Sequence, residues 1–305
     1  MRTLFVGAGA TGGYFGGRLA QAGRDVTFLV RPARAAALAG RGLRIKSPDG
    51  ESVVDVRTVT ADAIDGHYDV VVLAVKGYAL ERAIADVTPA IGPDTVIVPL
   101  LNGMRHMDTL RAAFGDHRVW GGLAMIFATL DGTGDVVQLT GLERIAYGPL
   151  DGGPDPRADA VAQALSGAEF DSDLSATIVR DMWEKWVFLA SLGAATTLMR
   201  ASVGDINAAP GGPAFAEGIA GEAVAIAAAA GHPPSEGAVA FLRAGIVSTA
   251  PMTSSLYRDM VRGLPVEADE IVGDLVTYAE KNGVPAPLMS AAYTNLAIYA
   301  ARRGV

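Results

Sequence analysis

The 305-residue sequence contains no cysteine, four histidines and 19% charged residues. Without cysteine there can be no disulfide, iron–sulfur cluster, thiolate zinc site or cysteine nucleophile. His67, His106, His117 and His232 are far apart and form no H-x-x-x-H pair, so no metal site is expected. The net charge of −8 argues against a general polyanion binder, and no nucleic-acid partner is expected. Long hydrophobic runs are missing too. The most apolar stretch, residues 214–231, is mostly alanine and carries Glu217 and Glu222, so it reads as a buried helix and no membrane partner is expected. The few residues before Gly7 leave no room for a secretory leader, and a cytoplasmic location is expected.

Half of the residues are hydrophobic, enough to offset the entropy of ordering in a globular chain. At roughly 150 residues per domain the length suggests two domains. Glycine is abundant, 37 residues in no triplet pattern, so the glycines call for local explanations.

Residues 3–6, 25–30, 69–75 and 95–100 are short, continuously apolar runs separated by stretches long enough for helices, the pattern of parallel strands buried on both faces. Residues 43–45 and 52–56 read as an extra pair inserted before the third strand. A short helix over 104–114 is followed by runs at 118–127, 135–139 and 144–147, joined by Asp131-Gly132 and Gly134, which read as antiparallel hairpins. A helix over 157–165 and a closing strand over 169–171 complete this half. From residue 176 the period is helical. The expected class is α/β: a Rossmann-type doubly wound, mainly parallel sheet domain over 1–173, followed by an all-helical domain over 174–305. The turn-rich segment 151–156 is not taken as the boundary.

The strongest motif is Gly7-Ala8-Gly9-Ala10-Thr11-Gly12, directly after the first expected strand and at the start of a helix running through Leu19. Three glycines permit a tight turn, close approach to a pyrophosphate and tight helix packing, while free N–H groups at the helix start receive negative charge. Gly16 and Gly17, further along, read as packing residues. After the second strand, where an NAD site usually places an acid, stands Arg31; a fixed cation there suits a ribose 2′-phosphate, and a preference for NADPH is expected. Arg34 reads as a solvated arginine. Lys76 and Asn102 follow expected strands at the edge where such sheets bind ligands, although a solvated lysine and a plain Asn-Gly turn would look the same.

In the helical half, Lys185 has Phe188, Leu189 and Leu192 on its own helix face. A desolvated ammonium there suits proton donation, and a lysine snorkelling along its helix is the alternative. Glu267 fits equally the first turn of a helix begun by Pro265, and Ser254 and Ser255 fit a cap before a helix over 256–262.

Taken together, the glycine motif at Gly7 to Gly12, VVLAVK ending in Lys76, Leu101-Asn102-Gly103, Trp183-Glu184-Lys185, Ser254-Ser255 and Glu267 resemble the ketopantoate reductases (2-dehydropantoate 2-reductases) over the whole chain. The resemblance implies NADPH-dependent reduction of ketopantoate to pantoate, a step toward pantothenate. It implies Lys185 as the catalytic lysine and Glu267 as a glutamate near substrate and cofactor. It further implies Lys76 and Asn102 as residues bordering both ligands, Ala128 as a cofactor backbone contact and Ser255 as a substrate-binding serine. A homodimer is compatible with such helical domains.

Three asparagines of the family pattern are replaced here by Leu189, Gly193 and Val203. Fewer amides are then left to read substrate hydroxyls. A more apolar 2-keto acid, with Arg258 or Arg200 on its carboxylate, is therefore the alternative substrate, alongside an imine, and a non-catalytic NADPH-binding protein is the alternative of another class.

Overall fold

A computed structural model describes residues 1–303, which form two compact units. One consists of Met1–Leu101 and His106–Val179; the other runs from Arg180 onward and includes the short segment Asn102–Arg105.

The first unit opens with β1 (Thr3–Val6), α1 (Ala10–Gln21), β2 (Val26–Leu29) and α2 (Pro32–Arg41). The chain continues through β3 (Leu43–Ser47), β4 (Gly50–Val54), β5 (Arg57–Val59), β6 (Tyr68–Leu73), α3 (Leu80–Val87) and β7 (Ile91–Pro99). After α4 (Arg105–Phe114) come β8 (Gly121–Leu130), β9 (Val136–Gly148), α5 (Ala158–Leu165) and β10 (Asp171–Leu174). Five strands form an all-parallel sheet in the order β5-β2-β1-β6-β7. All four residues of β1 are buried, as continuous apolar runs in a sheet covered on both faces must be. The strand order reverses at β1, which leaves a ligand-binding crevice position between the carboxyl ends of β1 and β6.

Several expectations need correction here. Residues 43–45 and 52–56 do form the expected pair, antiparallel, and it belongs to a second sheet of order β10-β9-β3-β4, with β8 on β9. Residues 135–139 and 144–147 are one strand, β9, so the region is a single hairpin. The polar stretch between the two runs breaks the apolar pattern but not the strand; the register with β8 shifts between Ile126 and Ala128. The closing strand is Asp171–Leu174 and lies parallel to β9. β5 has three residues, too few for a periodicity signal.

The helix α1 packs on both sheets, and its glycines make this fit. A Cβ at Gly16 would lie 2.7 Å from the Phe28 ring, and one at Gly17 2.8 Å from Ile45 and Leu43. Each glycine costs helix propensity, roughly 1 kcal/mol against alanine, but it lets the backbone settle onto aromatic and aliphatic cores.

The second unit consists of α6 (Ile178–Met199), α7 (Val203–Ala208), α8 (Gly212–Ala229), α9 (Glu236–Ile246), α10 (Ser255–Val261), α11 (Asp274–Asn282) and α12 (Pro287–Ala301). Caps written in the sequence set the ends. Ser202 and Asp205 form a capping box at α7, and the Ser254 hydroxyl accepts the Tyr257 N–H (3.0 Å) at α10. The apolar helix α8 uses its Glu222 to accept the first N–H groups of α12, Leu288 at 3.1 Å and Met289 at 2.8 Å. Among the described residues no helix is long and apolar enough to cross a membrane. Pro265 does not begin a helix, contrary to expectation. Helical structure starts at Ala268 and passes through one π-helical turn, Asp269–Gly273, before α11. Such turns widen the helix locally and concentrate at functional sites.

Candidate active site

In the sheet unit the glycine motif forms the turn between β1 and α1. Gly7 has φ +98°, and its Cβ position is 3.0 Å from the Ala74 carbonyl oxygen. A Cβ on Gly12 would lie 2.2 Å from the Gly7 carbonyl oxygen. Side chains are excluded at both positions. Gly9 is the opposite case: a Cβ there would meet nothing within 4 Å, so the space above the turn is open. No side chain caps the start of α1, and its first turn holds no acid. Its first N–H groups therefore point toward a place that suits an anion. Closed beneath, open above and lined by N–H donors, the turn fits the pyrophosphate of a dinucleotide, with Ala8, Ala10 and Thr11 completing it.

Arg31 stands exposed at the N-cap of α2. Arg34, one turn on, is half-buried and donates from Nη2 to the Ala8 carbonyl oxygen (3.0 Å). Burial and then the nearby Arg41 lower its pKa. It is thus no freely solvated arginine but a cation held against the glycine turn. Lys76 is half-buried three residues beyond β6, close in sequence to Ala74 under the glycine turn, while Ala128 lies in β8 opposite Gln138.

In the helical unit, three residues distant in sequence meet. Lys185 Nζ donates to Asn102 Oδ1 (3.3 Å), and Asn102 Nδ2 donates to Glu267 Oε2 (3.4 Å). The chemistry of the partners fixes the amide orientation, since an ammonium can only donate and a carboxylate only accept. Asn102 is placed by its neighbour. Gly103 has φ +76°, and a Cβ there would sit 2.2 Å from the Glu270 carbonyl oxygen, so the segment lies directly on the π-turn. Arg105, at the other end of the segment, forms an ion pair with the buried Asp274 at the start of α11.

Glu267 is 2% exposed and sits just before the π-turn. Desolvation pushes the Lys185 ammonium down to about 8, opposed by the charge of Glu267. Glu270 is displaced upward, by burial first and then by Glu267 and Asp269. The linear pattern offers Glu270 only as a further acid of an expected first helical turn, and nothing in it shows the close approach at Gly103.

Other expected residues lie along α6 and α10. Gly193, two turns after Lys185, has Leu256 Cδ1 2.8 Å from its Cβ position and Ile271 Cγ2 at 3.9 Å. Val203 is a buried packing residue whose N–H binds the Met252 carbonyl oxygen (2.9 Å). Ser254 caps α10 and its hydroxyl bonds that of Thr196 (2.7 Å); Ser255 is the next residue and half-buried. Arg200 is exposed, whereas Arg258 is half-buried.

Comparison with known proteins shows the family. The family description "Ketopantoate reductase PanE/ApbA" matches residues 3–152, and "Ketopantoate reductase PanE/ApbA C terminal" matches residues 177–300. The chain is 37% identical to an uncharacterized oxidoreductase, YkpB, of Bacillus subtilis (strain 168), covering 99% of this chain and 100% of that protein. It is 26% identical to a 2-dehydropantoate 2-reductase of Mesorhizobium japonicum, covering 100% and 99%. A D-mandelate dehydrogenase solved with NADH and anilino(oxo)acetate shares the fold, with a TM-score of 0.88 at 21% identity over the full length of both chains. With two matched segments spanning most of its length, the chain belongs to the ketopantoate reductase family of oxidoreductases.

Proposed function

We propose that this chain is an NADPH-dependent reductase of a 2-keto acid, converting ketopantoate to pantoate, with Lys185 as proton donor. The observation that carries this reading is the bridge from Lys185 through Asn102 to Glu267. In this assignment residues 1–173 hold the cofactor, through Gly7 to Gly12, Arg31, Lys76, Asn102 and Ala128. Residues 174–305 supply the donor and bind substrate, with Ser255, Lys76 and Asn102 as contacts and Glu267 facing both ligands.

The bound reduced nicotinamide supplies the hydride. Everything else falls to side chains. As the keto carbon becomes tetrahedral, its oxygen gains negative charge, and an ammonium aimed at that oxygen stabilises the alkoxide and then protonates it. With a pKa lowered to about 8, Lys185 is still protonated at neutral pH but gives up its proton more readily than an ordinary lysine. Asn102 fixes where the ammonium points, and the charge of Glu267 keeps it protonated in spite of burial. Arg31 and Arg34 supply the two cations for a 2′-phosphate, the basis for NADPH over NADH.

A second reading, a more apolar 2-keto acid, is favoured by one observation. The face of α6 beyond Lys185 carries Leu189 and then Gly193, whose side-chain space is taken by Leu256. Carbon faces the region where a hydroxylated acid would need donors. That a protein of the same fold is a D-mandelate dehydrogenase, solved with anilino(oxo)acetate, is in keeping with this reading. Rates of NADPH and NADH oxidation over a panel of 2-keto acids test both readings. Reduction of ketopantoate as the best substrate supports the first, a branched or aromatic 2-keto acid as the best substrate supports the second, and no turnover of any 2-keto acid contradicts both.

A further inference from the structure

We infer that Arg258 is the anion anchor of the helical unit, gripping the carboxylate of the 2-keto acid together with the Ser255 hydroxyl. The identity of the anion rests on the function proposed above; the anion site itself rests on the following geometry.

The short helix α10 is fixed to α6 at two points. The Ser254 hydroxyl meets the Thr196 hydroxyl at 2.7 Å, and Leu256 fills the space that a side chain at Gly193 would occupy. A Cβ on Gly193 would also lie 3.9 Å from Ile271 Cγ2 of the π-turn, and the Ile271 N–H binds the Glu267 carbonyl oxygen (3.2 Å). The start of α10 is therefore packed where the donor helix and the segment carrying Glu267 come together.

Arg258 lies one turn into α10, three residues from Ser255 and next to it on the helix surface. Its Nη1 donates to the Thr253 carbonyl oxygen at 2.6 Å. That bond turns the guanidinium back toward the start of the helix, the end at which Ser255 stands. Among the described residues no carboxylate lies within ion-pair distance of Arg258, and the Ser255 hydroxyl has no hydrogen-bond partner. The rest of the guanidinium fork is left without a protein acceptor.

An arginine this far withdrawn from water is ordinarily paired, because desolvating a charge without compensation is costly. Burial indeed pushes the Arg258 guanidinium below its usual value, with Asp259 opposing and Arg262 reinforcing the shift. A planar fork with free donors beside a free hydroxyl matches the two oxygens of a carboxylate. Arg200, by contrast, is exposed and offers no such enclosure.

Oxamate, an unreactive isostere of a 2-keto acid, is the probe, and its neutral analogue oxamide is the control. Its binding to the full chain with NADP⁺ present is measured by calorimetry for wild type, Arg258→Ala and Arg258→Lys. Removing charge-assisted hydrogen bonds of this kind costs roughly 10- to 100-fold in affinity. Arg258→Ala is expected to lose that factor for oxamate and nothing for oxamide, while Arg258→Lys retains part of it. Unchanged NADP⁺ affinity and an unchanged melting temperature show that the variant is folded. Equal oxamate affinity in a folded Arg258→Ala protein overturns the inference, as does failure of wild type to prefer oxamate over oxamide. Should Arg258→Ala not fold, the partial loss in Arg258→Lys decides in the same way. Turnover of 2-keto acids by wild type is the separate readout: its absence sinks the proposed reaction, while Arg258-dependent oxamate binding would still establish the anion site.

Discussion

In the sheet unit the candidate cofactor turn is made by six consecutive residues and mostly by backbone, whereas the candidate donor site of the helical unit joins side chains 83 and 165 positions apart. The first is a local device: two glycines exclude any Cβ, a third keeps the space open, and the helix start provides the N–H groups. The second is a tertiary device in which Asn102 is useful only because Gly103 can lie against the Glu270 carbonyl and Arg105 can reach Asp274. A backbone site tolerates change in its surroundings but not in its glycines. A side-chain relay tolerates neither a lost member nor a shifted support.

This contrast can be broken by substitution. The largest effect is expected for Lys185→Ala, a loss of about 1,000-fold or more in kcat/KM for the 2-keto acid with NADPH affinity unchanged. Fluorescence titration of NADPH alongside steady-state rates checks it, and a loss of cofactor binding instead would merge two roles that the proposal assigns to different residues. Gly12→Ala comes next. Its Cβ would overlap the Gly7 carbonyl oxygen, and cofactor affinity is expected to fall roughly 100-fold, as for a strained turn whose backbone must shift by a few kcal/mol. Asn102→Ala should lower kcat by about 10- to 100-fold, in keeping with a group that orients the donor without giving the proton. Gly103→Ala should do nearly the same without touching any reacting atom, and this likeness is the sharper test of the supporting geometry. The smallest effect is expected for Arg34→Ala, a drop of about 10-fold in the NADPH-to-NADH ratio of kcat/KM, the worth of one charge-assisted contact.

The same contrast explains how much could be read from the residues in order. Continuous apolar runs announced the parallel strands because burial on both faces leaves no alternation to confuse. The glycine turn was legible because its parts are adjacent. The single strand β9 was not, since the exposed stretch over 139–141 between its two buried runs mimics a turn. Arg34 reads as solvated in the sequence because nothing in a linear pattern shows that a side chain folds back onto Ala8. Lys185 stood out through the apolar residues on its helix face, but its partner Asn102 comes from a loop in the other half of the sequence. The π-turn after Glu267 was invisible, because no residue type dictates the wider turn and Pro265 suggested an ordinary helix start.

The central claim is that Lys185, lowered to about 8, is the proton donor. It is tested most directly by the pH dependence of kcat/KM for 2-keto acid reduction, measured from about pH 6 to pH 10 in wild type and Lys185→Arg, since this parameter reports groups of the free enzyme. The reaction needs the protonated ammonium, so the wild-type rate should be level at low pH and fall tenfold per unit above about 8. Arginine does not titrate in this range, so the slow Lys185→Arg variant should show no such fall. An unchanged fall near 8 in Lys185→Arg would assign the proton to another group and contradict the account.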